Sequence, residues 1–125
     1  DYVVDAIDTV SGKLALAAAC EQAGTPLISA MGAGNRRNPS GFKVTDIYST
    51  SMCPLARVMR RELKKRGIRS LKVVCSDEKS GVLEEQRGSE NAGRAITGSL
   101  VFVTGTAGLL LASEVVKDLL VKEGR

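Results

Sequence analysis

Two aspartates three positions apart, Asp5 and Asp8, close a short apolar run, and Lys13 follows in the next stretch. A carboxylate where a buried strand ends has two uses: it collects backbone N–H groups and caps the next helix, or it stands in solvent and meets a Mg2+ ion or a metal-bound phosphate. Successive side chains of an extended strand alternate sides, so residues three apart face opposite ways and these two are not an equal chelating pair. Asp8, at the turn into a helix, is placed to reach solvent. Asp5 reads as a carboxylate receiving backbone N–H groups, and Lys13 by itself as a solvated helix residue. The other chemical candidate is Cys53, directly before Pro54 at a predicted helix N-terminus, where the helix dipole lowers a thiol pKa. Its plain reading is a small packed residue.

Absent residue types narrow the chemistry. The 125 residues include no histidine, which removes Ser-His-Asp and Cys-His machinery and every His-ligated metal site. There is no tryptophan, and the aromatics are Tyr2, Phe42, Tyr48 and Phe102 alone, too few for base stacking to dominate nucleic-acid binding. Cys20, Cys53 and Cys75 form no CxxC pair, so neither a zinc ribbon nor a disulfide framework is expected, and a reducing, cytoplasmic setting fits. The longest apolar run, 100–112, is interrupted by Thr104, Gly105, Thr106 and Gly108 and falls short of the roughly 20 residues of a membrane span.

Net charge is +4, but its distribution says more than its sum. Between Arg57 and Lys72 stand eight basic residues against one acid, Glu62, on an otherwise slightly acidic body. Arg57, Arg60, Arg61 and Lys64 share one face of the predicted helix there, opposite Leu55, Val58, Met59 and Leu63. Such a face is a solvated surface or a contact for polyanion phosphates.

The elements that position these residues read as α/β. Residues 2–7 form a buried strand, 10–23 an Ala/Leu-rich helix stopped by Gly24, and 26–31 a second strand, a βαβ unit. Turn chemistry at 32–35 and 38–41 precedes a third strand, 42–48, expected to run antiparallel to the second. Pro54 opens a helix to Arg66, closed by Gly67. Residues 71–75 read as a fourth strand, 76–98 as a long flexible loop, 100–103 as a fifth strand, and 107–122 as an apolar helix capped by Thr106, suited to a core or a subunit interface. An open sheet of this type places ligands at the carboxyl ends of its parallel strands, which brings attention back to Asp5 and Asp8. Because the first residues already read as a core strand, the chain is expected to be a piece of a longer protein.

The segments DYVVDAIDTVSGKLAL, TPLISAMGAGNRRNPSGFKVTDIYSTSMCPLARVMRRELKKRGI and SLVFVTGTAGLLLASEVVKDLL together closely resemble the ThiF/MoeB/HesA superfamily of ATP-dependent activating enzymes, and within it the tRNA threonylcarbamoyladenosine dehydratase branch. The resemblance implies the C-terminal half of a Rossmann-like ThiF/MoeB fold: a βαβ unit followed by antiparallel strands and helices. It implies adenylation of a carboxylate with ATP and Mg2+, and in that branch cyclisation of threonylcarbamoyladenosine in tRNA with loss of water. On that resemblance Asp8 faces the ATP phosphates and metal, Thr9 lies beside the nucleotide, and Lys13 is a catalytic lysine of the branch. Relatives use a cysteine for acyl or persulfide adducts, which brings Cys53 forward as a nucleophile; tRNA, a homodimer partner, and a sulfur-carrier or cysteine desulfurase partner are the associations implied. The family's glycine-rich nucleotide loop and its arginines belong to the N-terminal half. Gly32-x-Gly34 runs into Asn35-Arg36-Arg37, a turn, and is no substitute. The isolated 125 residues are therefore expected neither to bind ATP tightly nor to turn over. Two other functions stay open: a non-catalytic scaffold for dimerisation or sulfur-carrier docking, and adenylation of a ubiquitin-like sulfur carrier, which would be expected to bring a CxxC pair.

Overall fold

The computed structural model describes residues 1–79 and 98–124. Its elements are β1 (Val3–Asp5), α1 (Val10–Ala23), β2 (Leu27–Ala30), β3 (Phe42–Asp46), α2 (Pro54–Lys65), β4 (Lys72–Ser76) and α3 (Val101–Lys122), with single 3-10 turns at Pro39–Gly41 and Ile47–Ser49. The strands form one sheet in the order β1-β2-β4-β3. β1, β2 and β4 are parallel, and β3 runs antiparallel along β4. The third strand thus has the expected direction relative to the second but does not neighbour it; β4 lies between them. It is the sheet's single antiparallel strand among the described residues.

Alternation along β4 sends Val73 and Cys75 to one face and Val74 to the other. On the first face α1 and α2 close a cluster with Leu14, Ala17, Met59 and Leu63. On the second, α3 lays Val103, Ala107 and Leu111 over Ile28, Phe42 and Val74. The result is three layers, helix–sheet–helix.

Local chemistry sets the element ends. β1 stops sooner than expected because the Asp5 carboxylate takes the Ile7 N–H at 2.9 Å and turns the chain out of the sheet. α1 ends where Gly24 adopts φ +66° and the Thr25 N–H reaches back to the Cys20 carbonyl at 3.0 Å. Gly67, at φ +71°, ends α2 in the same way, with Ile68 N–H on the Leu63 carbonyl at 3.1 Å.

The fifth strand expected at 100–103 does not exist. Helix α3 already begins at Val101, its N-cap is Leu100 without a side-chain cap bond, and Thr106 lies inside it. Leu-Val-Phe-Val is β-prone, but Val103, Ala107 and Leu111 recur every four residues, and that helical stripe is what the sheet buries. The threonines are absorbed by back-bonding: the Thr106 hydroxyl donates to the Phe102 carbonyl at 2.6 Å. Most of the loop expected over 76–98 lies outside the described residues; Ser76 itself closes β4.

Candidate active site

The parallel strands present their carboxyl ends along one edge of the sheet, where Asp5, Ala30 and Ser76 finish β1, β2 and β4. Asp5 is 1% exposed and pairs in register with Ser29 of β2. Its carboxylate accepts the Ser29 hydroxyl at 2.5 Å and both oxygens lie 3.3 Å from Lys13 Nζ. The ammonium also donates to the Ala30 carbonyl at 2.6 Å. Lys13 is therefore not a solvated helix residue: at 2% exposure it reaches from α1 across the ends of two strands. A buried ammonium is tolerable only with this density of acceptors, and the lysine gains the fixed position it needs to orient the strand ends.

Asp8 is exposed, in keeping with its place at the turn into α1, and among the described residues it makes no hydrogen bond or ion pair. Thr9 beside it is the N-cap of α1, yet its side chain makes no cap bond, and the first turn carries no acid. The leading N–H groups of α1 are thus not capped by that hydroxyl and stay electropositive. Gly12 leaves room at this corner: a Cβ there would meet Thr9 Oγ1 at 2.7 Å and Ile7 Cγ2 at 3.2 Å, so a side chain would force those two to shift.

Cys53 forms the N-cap of α2, its Sγ accepting the Ala56 N–H at 3.4 Å. The thiol is 3% exposed. Cys75 of β4 lies in the same buried cluster, and coupling between the two thiols lowers the Cys53 pKa to about 5, with burial opposing and the Ala56 and Gly32 N–H groups and Arg36 assisting. Cys75 moves the other way, its thiol pushed up by its coupling to Cys53 and by burial. All three cysteines are free.

The basic helix face is less uniform than its sequence suggests. Arg60 is half-buried, its guanidinium donating to the Thr50 carbonyl at 3.1 Å and to the Thr50 hydroxyl. Arg61, Lys65 and Arg66 converge on Glu62, holding that carboxyl below its usual range. Arg57, Lys64 and Arg69 are exposed and, among the described residues, unpaired.

The ThiF family profile matches residues 1–124. The chain belongs to the ThiF family. Over 129 aligned residues this ThiF chain is 39% identical to the tRNA threonylcarbamoyladenosine dehydratase of Bacillus subtilis, covering 96% of the chain and 51% of that relative. It is 32% identical to the Escherichia coli protein of the same name, over 99% of the chain and 53% of the relative. The crystal structure of the E. coli dehydratase with AMP superposes with a TM-score of 0.84, and that with ATP with 0.82, covering 99% of the ThiF chain and 50% and 49% of those structures. The ThiF chain thus spans about half the length of the curated relatives it matches, and its α/β sheet is the Rossmann-like fold of that family. Among the described residues no helix is long and apolar enough to cross a membrane.

Ser29, Arg36, Gly12 and Cys75 are site neighbours that the sequence reading passed over. For Ser29 a signal existed, a lone hydroxyl inside an apolar strand. The others depend on contacts between elements distant in sequence.

Proposed function

We propose that this chain forms the C-terminal half of an ATP-dependent activating enzyme that adenylates the carboxylate of threonylcarbamoyladenosine in tRNA and closes it to a ring. The chemistry explains the need for ATP. A carboxylate is a poor electrophile; attack of its oxygen on the α-phosphorus expels pyrophosphate and leaves an acyl-AMP, whose AMP departs when the same nucleoside attacks the carbonyl. The net change is loss of water from the nucleoside, carried away in the cleavage of ATP to AMP and pyrophosphate.

The observation that carries this reading is the uncommitted Asp8 carboxylate beside Thr9 and the unbonded first turn of α1, at the carboxyl edge of the parallel strands. That corner offers an oxygen ligand for Mg2+ and N–H donors for phosphate, so the residues present fit a metal-bridged nucleotide. Lys13 acts through Asp5, fixing the ends of β1 and β2 beneath it. The relatives' names and the AMP and ATP complexes of the E. coli protein support the same assignment.

Phosphates of tRNA are met by Arg57, Arg61 and Lys64, extended by Arg69, while Arg60 steadies the loop before α2 through Thr50. The outward apolar residues of α3, among them Val101, Leu109 and Val116, support a homodimer. In the full-length protein carrying this chain, ATP-dependent conversion of threonylcarbamoyl-tRNA should collapse on Asp8→Ala, and retained turnover would refute the assignment. The isolated 125 residues should show no pyrophosphate exchange. Reversing Arg57, Lys64 and Arg69 to glutamate should flatten the salt dependence of tRNA binding by a log–log slope of about one per residue and leave ATP affinity alone.

A further inference from the structure

Four consecutive residues after β2 hold three segments that are distant in the chain. The Asn35 N–H donates to the Gly98 carbonyl at 2.8 Å, and the Asn35 Oδ1 accepts the Gly98 N–H at 2.9 Å. Arg36 is 3% exposed; its NH1 donates to the Gly34 carbonyl at 2.9 Å within the turn, and its NH2 reaches out to the Met52 carbonyl at 3.4 Å. The Asn38 and Arg37 N–H groups converge on the Glu78 carboxylate at 2.9–3.2 Å and hold that carboxyl below its usual range. The chain around Glu78 is pinned as well, with the Asp77 N–H on the Gly41 carbonyl and the Glu78 N–H on the Ser76 hydroxyl, both at 3.1 Å. Gly98 stands just ahead of α3, Met52 just ahead of α2, and Glu78 just beyond β4.

We infer that residues 35–38 act as one cooperative node that couples the start of α3 to the end of β4 and to the entry of α2, so that loosening one contact loosens the others. The backbone supports this. Asn35, at φ +58°, and Met52, at φ +60°, are the two non-glycine residues with positive φ among the described residues, and the node contacts both. Left-handed backbone in side-chain-bearing residues persists only where surrounding bonds over-determine it. Asn35 is held by Gly98 on one side and, through the three residues that follow, by Met52 and Glu78 on the other. Arg36 reaches its two carbonyls while its buried Nε is left without a hydrogen-bond partner among the described residues, a cost that the joined loops impose. Releasing either hold lets Asn35 return to right-handed φ, which re-aims the N–H groups of Arg37 and Asn38. A turn with two discrete arrangements is the kind of element that couples separate contacts, and such coupling is reciprocal. Because α2 carries the basic face and α3 the outward apolar one, the node would join the polyanion-binding helix to the helix of the subunit interface. That consequence rests on the proposed function; the coupling itself does not.

Amide hydrogen exchange of the full-length protein carrying this chain, read residue by residue by NMR without ATP or tRNA, tests the coupling. Glu78→Ala removes the acceptor of Arg37 and Asn38, whose exchange should rise by about tenfold, the scale of a lost charge-assisted bond. The decisive amide is Gly98, whose bonds go to Asn35 and not to Glu78: its exchange should rise by about fivefold in the same variant. Asn35→Gly keeps the left-handed turn and deletes the Oδ1 acceptor, and it should in return speed exchange at Arg37 and Asn38. Amides of the β1–β2 ladder should stay as they are; if Glu78→Ala speeds those too, Glu78→Gln, which keeps an acceptor oxygen, decides by the same Gly98 readout. Gly98 unchanged while Arg37 and Asn38 quicken, or Asn35→Gly quickening Gly98 alone, would show separate contacts and overturn the node. No substrate enters the measurement, so its outcome is independent of the cyclisation assay.

Discussion

The two ends of the parallel sheet are built from similar residue types and use them differently. At the amino end, the Tyr2 hydroxyl donates to Asp118 at 2.7 Å, and Lys72 Nζ meets Asp118 at 2.9 Å and Glu114 at 3.1 Å, tying β1 and β4 to α3. Every member is at least partly wet and each has a partner. At the carboxyl end the polar groups of Asp5–Lys13–Ser29 and of Arg36 are sealed, while Asp8, in solvent, bonds to nothing among the described residues. Partnered and exposed charge fastens elements weakly. Partnered and buried charge costs desolvation and returns fixed geometry, which is worthwhile where a neighbouring group must be aimed. The carboxyl end thus holds the positioning chemistry, and the amino end the fastening.

Removing one member of the sealed set should have the largest effect on stability. Asp5→Ala strands the Lys13 ammonium and is expected to cost about 3–5 kcal/mol in urea unfolding. The double variant Asp5→Leu/Lys13→Met should recover most of it, since no charge is then left buried; failure to recover would mean that the pair stabilises the fold in its own right.

The cysteine pair sharpens the contrast through pH. With Cys53 near 5 and Cys75 above its normal range, the native pair binds one proton at neutral pH while the unfolded chain, with thiols near 9, binds two. Stability from this pair therefore rises with pH from about 5 to 9. Above that the unfolded chain loses both protons, the native pair keeps one, and the contribution falls. Urea midpoints across this range, compared with Cys53→Ser, check the sign.

The amino end should respond least. Asp118→Ala removes bonds from half-exposed groups and is expected to cost about 1 kcal/mol or less, with ATP binding untouched. Tyr2, its pKa pushed up to about 12 by burial and the Asp118 bond, contributes stability that is complete below pH 10 and disappears as pH climbs through 12; alkaline tyrosinate absorbance reads it directly.

Much of this contrast was legible in the residues. Alternation along a strand already separated Asp5 from Asp8, and Ala/Leu content with Gly24 bounded α1 at both ends. Cys53-Pro54 marked the start of α2, because a cap and an N1 proline are local signals. Long-range partners carried no such signal. The burial of Lys13 depends on Ser29 and Ala30, which β2 brings alongside β1, and Cys75 meets Cys53 only because β4 inserts between β2 and β3. Arg36 sits in a run of turn residues that reads as solvent-exposed, and its burial arises from loop packing alone. The opening of α3 was misread for the opposite reason: a strong local β preference concealed a four-residue stripe that tertiary burial selected.

The central claim is that Asp8 is kept free for chemistry and contributes nothing to holding the fold. The direct measurement is ATP-dependent cyclisation of threonylcarbamoyladenosine in tRNA by the full-length protein and its Asp8→Ala variant, with thermal unfolding of both. The account predicts a loss of about 10^2–10^3-fold in turnover, the scale of removing one charge-stabilising group, at an unchanged melting temperature. Undiminished turnover, or a lost activity that merely follows a lost fold, would contradict it.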